Sequence, residues 1–271
     1  SPVVADLNSD GLKEIYFGSD NEALHGYNSF GEEIDGFPFQ STDRVRSSPA
    51  VGDVDNDGQL EVVFGNSAGK LYIINHDGTQ QLAYTILGFI EGTPALVDID
   101  GDQDLEIAFT TTTTSGGQLY VIHHNGITMS GFPKELGSMW AGPADHDIDN
   151  DGAYDVVCST YDKEVYAVEV NGGSIKAGFP VVLEGRLDVA PTIVDIDRDG
   201  DYEIAVGSND GELFVLNHDG TIFTQYDTGD DIRGGISVCD LNNDGQLDLL
   251  FGGYDDKIHV WDPVANELLS G

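Results

Sequence analysis

Residues 52–65 read GDVDNDGQLEVVFG and place Asp53, Asp55, Asp57 and Glu61 within nine residues, immediately before an apolar run. Like charges at this spacing repel one another, so a folded chain needs a positive partner for them. Alternate side chains of a tight turn converge, and the glycine at residue 58 tolerates the positive φ that such a turn requires. The stretch therefore predicts a turn that gathers carboxylates and leads directly into a β-strand.

The acidic stretch occurs six times, at intervals of 45 to 49 residues, and its copies begin at Asp6, Asp53, Asp98, Asp147, Asp195 and Asp240. A fixed period of this length indicates an array of similar supersecondary units. We place the repeats at about residues 1–46, 47–91, 92–140, 141–188, 189–233 and 234–271, within a single domain that covers residues 1–271.

Each repeat carries short runs rich in β-branched and aromatic residues, such as residues 61–65 and 71–74, between turn signals such as Asp77-Gly78. Such runs are typical of strands and hairpins, and no helical periodicity competes with them. A weaker fourth segment leads toward Gly-Phe-Pro at residues 36–38 and at two later places. Four strands in each of six repeats predict an all-β fold, a β-propeller of six four-stranded antiparallel blades. The acidic loop then connects strands one and two of each blade.

The acidic loops are predicted calcium sites. Several charged oxygen ligands on a flexible loop suit Ca²⁺, whereas Zn²⁺ prefers His or Cys, and neither recurs in the loops. The last acid lies at position 9 and begins a strand, so the loop differs from an EF-hand, which has its bidentate Glu at position 12 between helices. The alternative is a set of Asp/Gly turns without metal, but such turns need only one Asx and one Gly.

Numbered from the first Asp of each loop, the predicted ligands are the side chains at positions 1, 3, 5 and 9 and the backbone carbonyl at position 7. We expect about six calcium ions, one per repeat. The ligands of the six sites, in chain order, are Asp6, Asn8, Asp10, Leu12 and Glu14; Asp53, Asp55, Asp57, Gln59 and Glu61; Asp98, Asp100, Asp102, Asp104 and Glu106; Asp147, Asp149, Asp151, Ala153 and Asp155; Asp195, Asp197, Asp199, Asp201 and Glu203; Asp240, Asn242, Asp244, Gln246 and Asp248. Loop three has Gly101 at position 4 and Gln103 at position 6, so we expect its site to be the weakest or most distorted.

The chain has 49 acidic and 11 basic residues, a formal net charge of -38. Nucleic acid is therefore excluded as a partner, because phosphate binding needs a basic surface. No run of about 18 apolar residues occurs, so we expect no membrane insertion. The side chains predicted to bind metal include 22 of the 49 acids. Cation sites therefore explain nearly half of the acids in the chain, and a saline habitat remains an alternative explanation for the rest.

The loop, followed by an apolar run and by Phe-Gly at residues 17–18, 64–65 and 251–252, resembles the FG-GAP repeat of integrin α-subunit propellers and the related bacterial VCBS-type repeats. The Ala-Pro of the family name is absent after those glycines. The resemblance implies an extracellular or cell-surface, calcium-stabilised propeller that binds a protein or carbohydrate ligand, as part of a larger secreted or surface protein. It also implies that ligands approach the face opposite the calcium loops.

That opposite face should carry the links between repeats, where four of the five arginines lie. Arginine binds carboxylates through two hydrogen bonds, and tryptophan packs against sugar rings or aliphatic chains. The candidate ligand-binding residues are Arg44, Arg46, Trp140, Arg186 and Arg233. The alternative is that Arg46 or Arg233 forms ion pairs between blades, with Glu91 or Asp188.

We predict an adhesion or recognition module in which calcium is structural and which is not an enzyme. No nucleophile–base arrangement or phosphate loop is present in the sequence, and the paired carboxylates lie in the metal loops. The alternatives are a polysaccharide lyase or hydrolase, with arginine holding a uronate, and a structural spacer of a large surface protein. Binding to glycans without their breakdown would separate recognition from catalysis.

Overall fold

The computed structural model describes residues 1–268, which form 24 strands joined by turns and loops. The strands are β1 Val3–Ala5, β2 Glu14–Ser19, β3 Ala23–Tyr27, β4 Phe39–Gln40, β5 Ala50–Gly52, β6 Glu61–Gly65, β7 Lys70–Ile74, β8 Gln80–Thr85, β9 Ala95–Val97, β10 Glu106–Thr110, β11 Gly117–Ile122, β12 Lys134–Leu136, β13 Ala144–His146, β14 Asp155–Ser159, β15 Glu164–Glu169, β16 Val181–Val182, β17 Thr192–Val194, β18 Glu203–Gly207, β19 Glu212–Leu216, β20 Ile222–Asp227, β21 Ser237–Cys239, β22 Asp248–Gly252, β23 Ile258–Asp262 and β24 Glu267–Leu268. No helix in the described residues is long and apolar enough to cross a membrane.

The strands form six antiparallel sheets of four, each made of four consecutive strands paired in chain order. The second sheet, for example, is the meander β5-β6-β7-β8. These sheets are the blades of the predicted β-propeller, and both the fold class and the number of strands per blade are confirmed. The fourth strand of repeats one, three and four begins just after its Gly-Phe-Pro, whereas the sequence placed that strand before it.

The chain divides into two compact units, Ser1–Pro143 and Ala144–Gly271. Each contains three blades. In the first unit, every residue of β6 is buried. Alternate side chains of a strand point to opposite sides of the sheet, so both faces of β6 are covered. Val62 and Phe64 pack into the core against the first blade, and Val63 packs into the core against the third.

The second unit is built on the same principle. Val157 and Val165 of the fourth blade pack against Ile204 and Val206 of the fifth. The opposite side of the fifth blade packs against the sixth, in a cluster that includes the fully buried Trp261. The middle strands of these blades carry apolar residues on both faces because another sheet packs on either side of them.

Candidate metal sites

The six acidic loops connect the first and second strands of the six blades, as predicted. Loop two lies between β5 and β6 and shows the shared geometry. The Asp53 carboxylate accepts the N–H groups of Asp57 and Gly58, both at 3.0 Å, and Asp57 Oδ1 accepts the N–H of Gln59 at 2.8 Å. Gly58 has φ 89°. The side chain at position 1 therefore fixes the turn, and this turn brings the carboxylates together.

The acid at position 9 is the first residue of the second strand and is buried in all six repeats. One of its oxygens accepts the backbone N–H of position 2, at 3.0 Å from Leu7 to Glu14 and at 2.9 to 3.4 Å in the other loops. In loops one, two and five this side chain lies close enough to other acids of the loop to be repelled by them, whereas Oε1 of Glu106 in loop three is 2.9 Å from His123 Nδ1. The position-9 side chain thus closes the hairpin with one oxygen and adds a buried carboxylate to the loop.

The electrostatics of loops two and five favour a bound cation. Burial, followed by repulsion from the acids at positions 1, 3 and 5, raises the pKa of Glu61 and of Glu203 to about 7. Asp55 Oδ1 and Asp195 Oδ1 are buried and have no hydrogen-bond partner. Among residues 1–268, no lysine, arginine or histidine pairs with positions 1, 3, 5 or 9 of loops one, two, five and six.

Carboxylate oxygens of positions 1, 3 and 5 lie within 4.8 Å of one another in loops two, three, four and five. A hard divalent cation fits these oxygen donors, because it would neutralise buried charges and engage the unpartnered oxygens. Loops one and six have Asn8 and Asn242 at position 3, and the amide oxygen of each accepts the N–H of position 5 at about the distance that an Asp would. These two loops keep the fold of the turn with one carboxylate fewer.

Loop three departs from the others, as the sequence predicted. Its left-handed residues are Gly101 (φ 79°) and Gln103 (φ 81°), and Asp98 accepts the N–H of both. His123 Nδ1 lies 2.9 Å from Glu106 Oε1, and His124 Nδ1 lies 3.1 Å from Asp104 Oδ2. Neither histidine was predicted to contact the loop. The recurrence of His76, His124 and His218 at one place of the repeat was the available signal for His124.

Loop four contains a lysine that the sequence analysis missed. Lys176 Nζ lies 2.8 Å from Asp149 Oδ2 and 3.0 Å from Asp155 Oδ2, and the lysine side chain is 8% exposed. Burial lowers the pKa of Lys176, but the hydrogen bonds to the two carboxylates outweigh it and the net pKa is raised, so the lysine is an ammonium at neutral pH. Loop four therefore already contains a cation that contacts two of its predicted ligands.

The five candidate residues of the links, Arg44, Arg46, Trp140, Arg186 and Arg233, are all exposed. Each precedes the first strand of a blade. The acidic loop follows that strand, so these residues and the loop lie at opposite ends of it. In the first unit, Arg46 Nε is 2.9 Å from Asp20 Oδ1, and Arg46 Nη1 is 3.9 Å from Glu91 Oε1. The ion pair between blades that was the alternative for Arg46 is therefore present.

In the second unit the arginines pack on tyrosine rings. The Arg186 guanidinium lies 4.8 Å from the ring centre of Tyr161, and that of Arg233 lies 5.1 Å from Tyr254. Their acidic partners are in their own links, with Asp188 3.7 Å from Arg186 and Asp231 2.8 Å from Arg233. Within this unit, Arg233 pairs with Asp231, two residues away in the sequence, and not with Asp188.

A family model described as FG-GAP-like repeat matches residues 6–64, 53–109 and 195–251, which together are more than half of the chain. No curated protein matches the sequence. The three matched ranges include loops one, two, three, five and six and omit loop four.

Several solved structures have the same fold at low sequence identity. BBS1N, in its complex with ARL6DN, aligns with TM-score 0.70 and 12% identity over 99% of this chain and 80% of that chain. BamB from Moraxella catarrhalis aligns with TM-score 0.66 and 20% identity, over 92% and 69%. The V. cholerae biofilm matrix protein Bap1 aligns with TM-score 0.64 and 19% identity over 84% of this chain, which spans only 39% of Bap1. At these identities the likeness shows the fold alone.

Proposed function

The chain belongs to the FG-GAP-like repeat family, and from that premise we propose that it is a calcium-binding extracellular recognition module in which calcium is structural. The observation that carries the proposal is the buried position-9 acid of loops one, two and five, which lies close enough to further carboxylates to be repelled by them. We propose calcium in loops one, two, three, five and six. Loop four is treated separately below because of Lys176.

Calcium is the cation that suits these loops best. The donors are carboxylates and carbonyls on a turn of adjustable shape, whereas Mg²⁺ needs stricter octahedral geometry and retains more water. Extracellular modules bind Ca²⁺ with Kd on the order of 10⁻⁴–10⁻³ M, so such sites fill outside the cell. A cation that binds only the folded loop stabilises the fold by mass action.

The test of this proposal is metal content. Protein dialysed to equilibrium against about 10 mM calcium, well above these Kd values, should hold an excess of calcium over the dialysis buffer in a near whole-number ratio when measured by elemental mass spectrometry. The double variant Asp53→Asn/Asp55→Asn should retain one ion fewer per chain. A variant of two acids outside the loops, Glu32→Gln/Glu184→Gln, is the matched control and should retain the wild-type number. A wild-type protein that holds no more calcium than the dialysis buffer would refute the proposal.

For recognition, we propose the link face of the second unit. Arg186 and Arg233 are exposed, and tyrosine rings beneath them hold their guanidinium groups in place, so they can present paired donors to a carboxylate. The ligand class is an acidic glycan or an acidic segment of another protein. The description of Bap1 as a biofilm matrix protein supports an adhesive role but belongs to that protein.

Binding of polygalacturonate, a polymer of carboxylated sugars, would test this face. We expect Arg186→Ala/Arg233→Ala to weaken binding about tenfold or more, since a hydrogen bond to a charged group contributes about 1.5–3 kcal/mol. Arg198→Asn, on the calcium loop of the fifth blade, is the control and should bind as wild type does. Equal binding by all three proteins would show that this face does not bind the polymer. Shortening of the polymer would favour the lyase or hydrolase alternative.

A further inference from the structure

Repeat four differs from the other repeats in the residue that faces its acidic loop. We propose that the Lys176 ammonium takes the place of calcium in this loop, so that the fourth blade is held by an internal cation and binds no metal. This inference rests on the proposed function, since it concerns which of the six similar loops bind calcium. Three features support it: the position of Lys176, its contacts, and the residues at the same place in other repeats.

Lys176 lies two residues before the glycine of Gly-Phe-Pro in repeat four, and Ile34 and Met129 lie at the same place in repeats one and three. The three residues have the same backbone contacts. The N–H of each donates to a carbonyl of the third strand of its blade: Ile34 to Gly26, Met129 to Val121 and Lys176 to Ala167. The carbonyl of each accepts the N–H of the Phe three residues later. One backbone position therefore carries an apolar side chain in two repeats and an ammonium in the third.

The ammonium contacts the acids that a metal would need. Asp149 and Asp155 are positions 3 and 9 of loop four, and Lys176 Nζ lies within 3.0 Å of one oxygen of each. A calcium ion bound by the same two carboxylates would lie 2.3–2.6 Å from their oxygens. An ammonium and a divalent ion that share these ligands would be a few ångströms apart in a buried site, where like charges repel strongly.

The turn itself does not account for the lysine. The Asp147 carboxylate accepts the N–H groups of Asp151 and Gly152 at 3.0 and 2.9 Å, as Asp53 does in loop two. Loop four therefore has the turn of a metal loop together with a buried lysine that loop two lacks. Burial of a long charged side chain is costly unless the charge is paired, and Asp149 and Asp155 provide the pairing.

The experiment is a count of bound calcium by native mass spectrometry of the full chain at saturating calcium. We expect five ions on the wild type and one more on Lys176→Met, which restores the side chain found at residue 129. The control is Lys134→Met, which changes a lysine outside the acidic loops and should keep the wild-type count. An unchanged count in Lys176→Met, or six ions on the wild type, would overturn the inference and leave the proposed function standing.

A second measurement needs no variant and so does not depend on the folding of Lys176→Met. Amide hydrogen exchange of wild-type protein should quicken in residues 53–61 and 195–203 when calcium is chelated, and should stay unchanged in residues 147–155. If residues 147–155 respond like the other two segments, Lys176 does not replace the metal. If no loop responds and no calcium is bound, the proposed function fails and this inference fails with it.

Discussion

The acid at position 9 has the most demanding role of any residue in the repeat. In loop two it is buried at the start of the second strand, accepts the N–H of position 2 and lies close enough to the other acids to be repelled by them. A carboxylate in this place is costly without a cation, because burial penalises the charged form. The same residue should therefore stabilise the fold when calcium is bound and destabilise it when calcium is absent.

Substitution of Glu61 by Gln tests this dual role, because the amide oxygen can still accept the N–H of Val54. With saturating calcium, we expect Glu61→Gln to lower the free energy of unfolding by about 1–3 kcal/mol, since a charged ligand is lost. Without calcium at pH 7.5, we expect the variant to be at least as stable as the wild type. Denaturant unfolding in both buffers checks the reversal, with the exposed Glu184→Gln as control. A variant that is less stable in both buffers would contradict it.

The raised pKa values predict the pH dependence of the calcium-free protein. The pKa of Glu61 and of Glu203 is about 7 in the folded state against 4.5 in the unfolded chain. Between these values the folded state holds the extra protons, so the free energy of unfolding should fall as pH rises from about 5 to 8. Chemical unfolding in calcium-free buffer measures this slope. It should be shallower in Glu61→Gln/Glu203→Gln, and a wild-type stability that rises with pH would contradict the account.

Among the elements, the second strand and the link that follows the blade explain the Phe-Gly pair. A Cβ on Gly65 would lie 2.1 Å from Ile90 Cγ2, and one on Gly18 would lie 2.3 Å from Val45 Cγ1. Neither glycine has a positive φ, so the requirement is for space. The link residue thus packs directly on the backbone of the strand, which only glycine permits at these two positions.

Gly65→Ala should therefore destabilise the protein by about 1–3 kcal/mol, the usual cost of overpacking a core. Gly252→Ala is a matched control in the same motif of the sixth blade, because no atom lies within 4 Å of a Cβ built there. Thermal unfolding in calcium should show a lower Tm for Gly65→Ala and little change for Gly252→Ala. Equal Tm values for the two variants would show that packing at the link is not the reason for the glycine.

The repeated elements were predictable from the sequence because they depend on local patterns. The β-branched runs, the Asp/Gly turns and the period of the acidic loop sufficed for the strands and for the position of the loops. Lys176 was not predictable in this way, since it reaches loop four from the connection between β15 and β16, about 25 residues later in the sequence. The pairing of His123 with Glu106 was missed for the same reason.

At the scale of the whole chain, charge is the dominant property. A formal net charge of -38 destabilises a compact state through self-repulsion, and bound calcium reduces it. We expect the Tm of calcium-free protein to rise by several degrees between about 0.02 and 0.5 M NaCl, as the screening length shortens. With calcium the rise should be smaller, and sucrose at equal osmolality is the control. An equal salt response in both states would indicate that the acids are a general adaptation to salt.

The central claim is that the acidic loops are calcium sites that stabilise the fold, and thermal unfolding of the wild-type chain tests it most directly. The Tm should be recorded in about 2 mM calcium, close to the extracellular concentration, in EGTA, and in EGTA followed by excess calcium. We predict a large fall in Tm with EGTA and full recovery when calcium returns. Addition of magnesium in place of calcium should give little recovery. A Tm that is the same in all of these buffers would mean that the loops are turns and that calcium has no structural role.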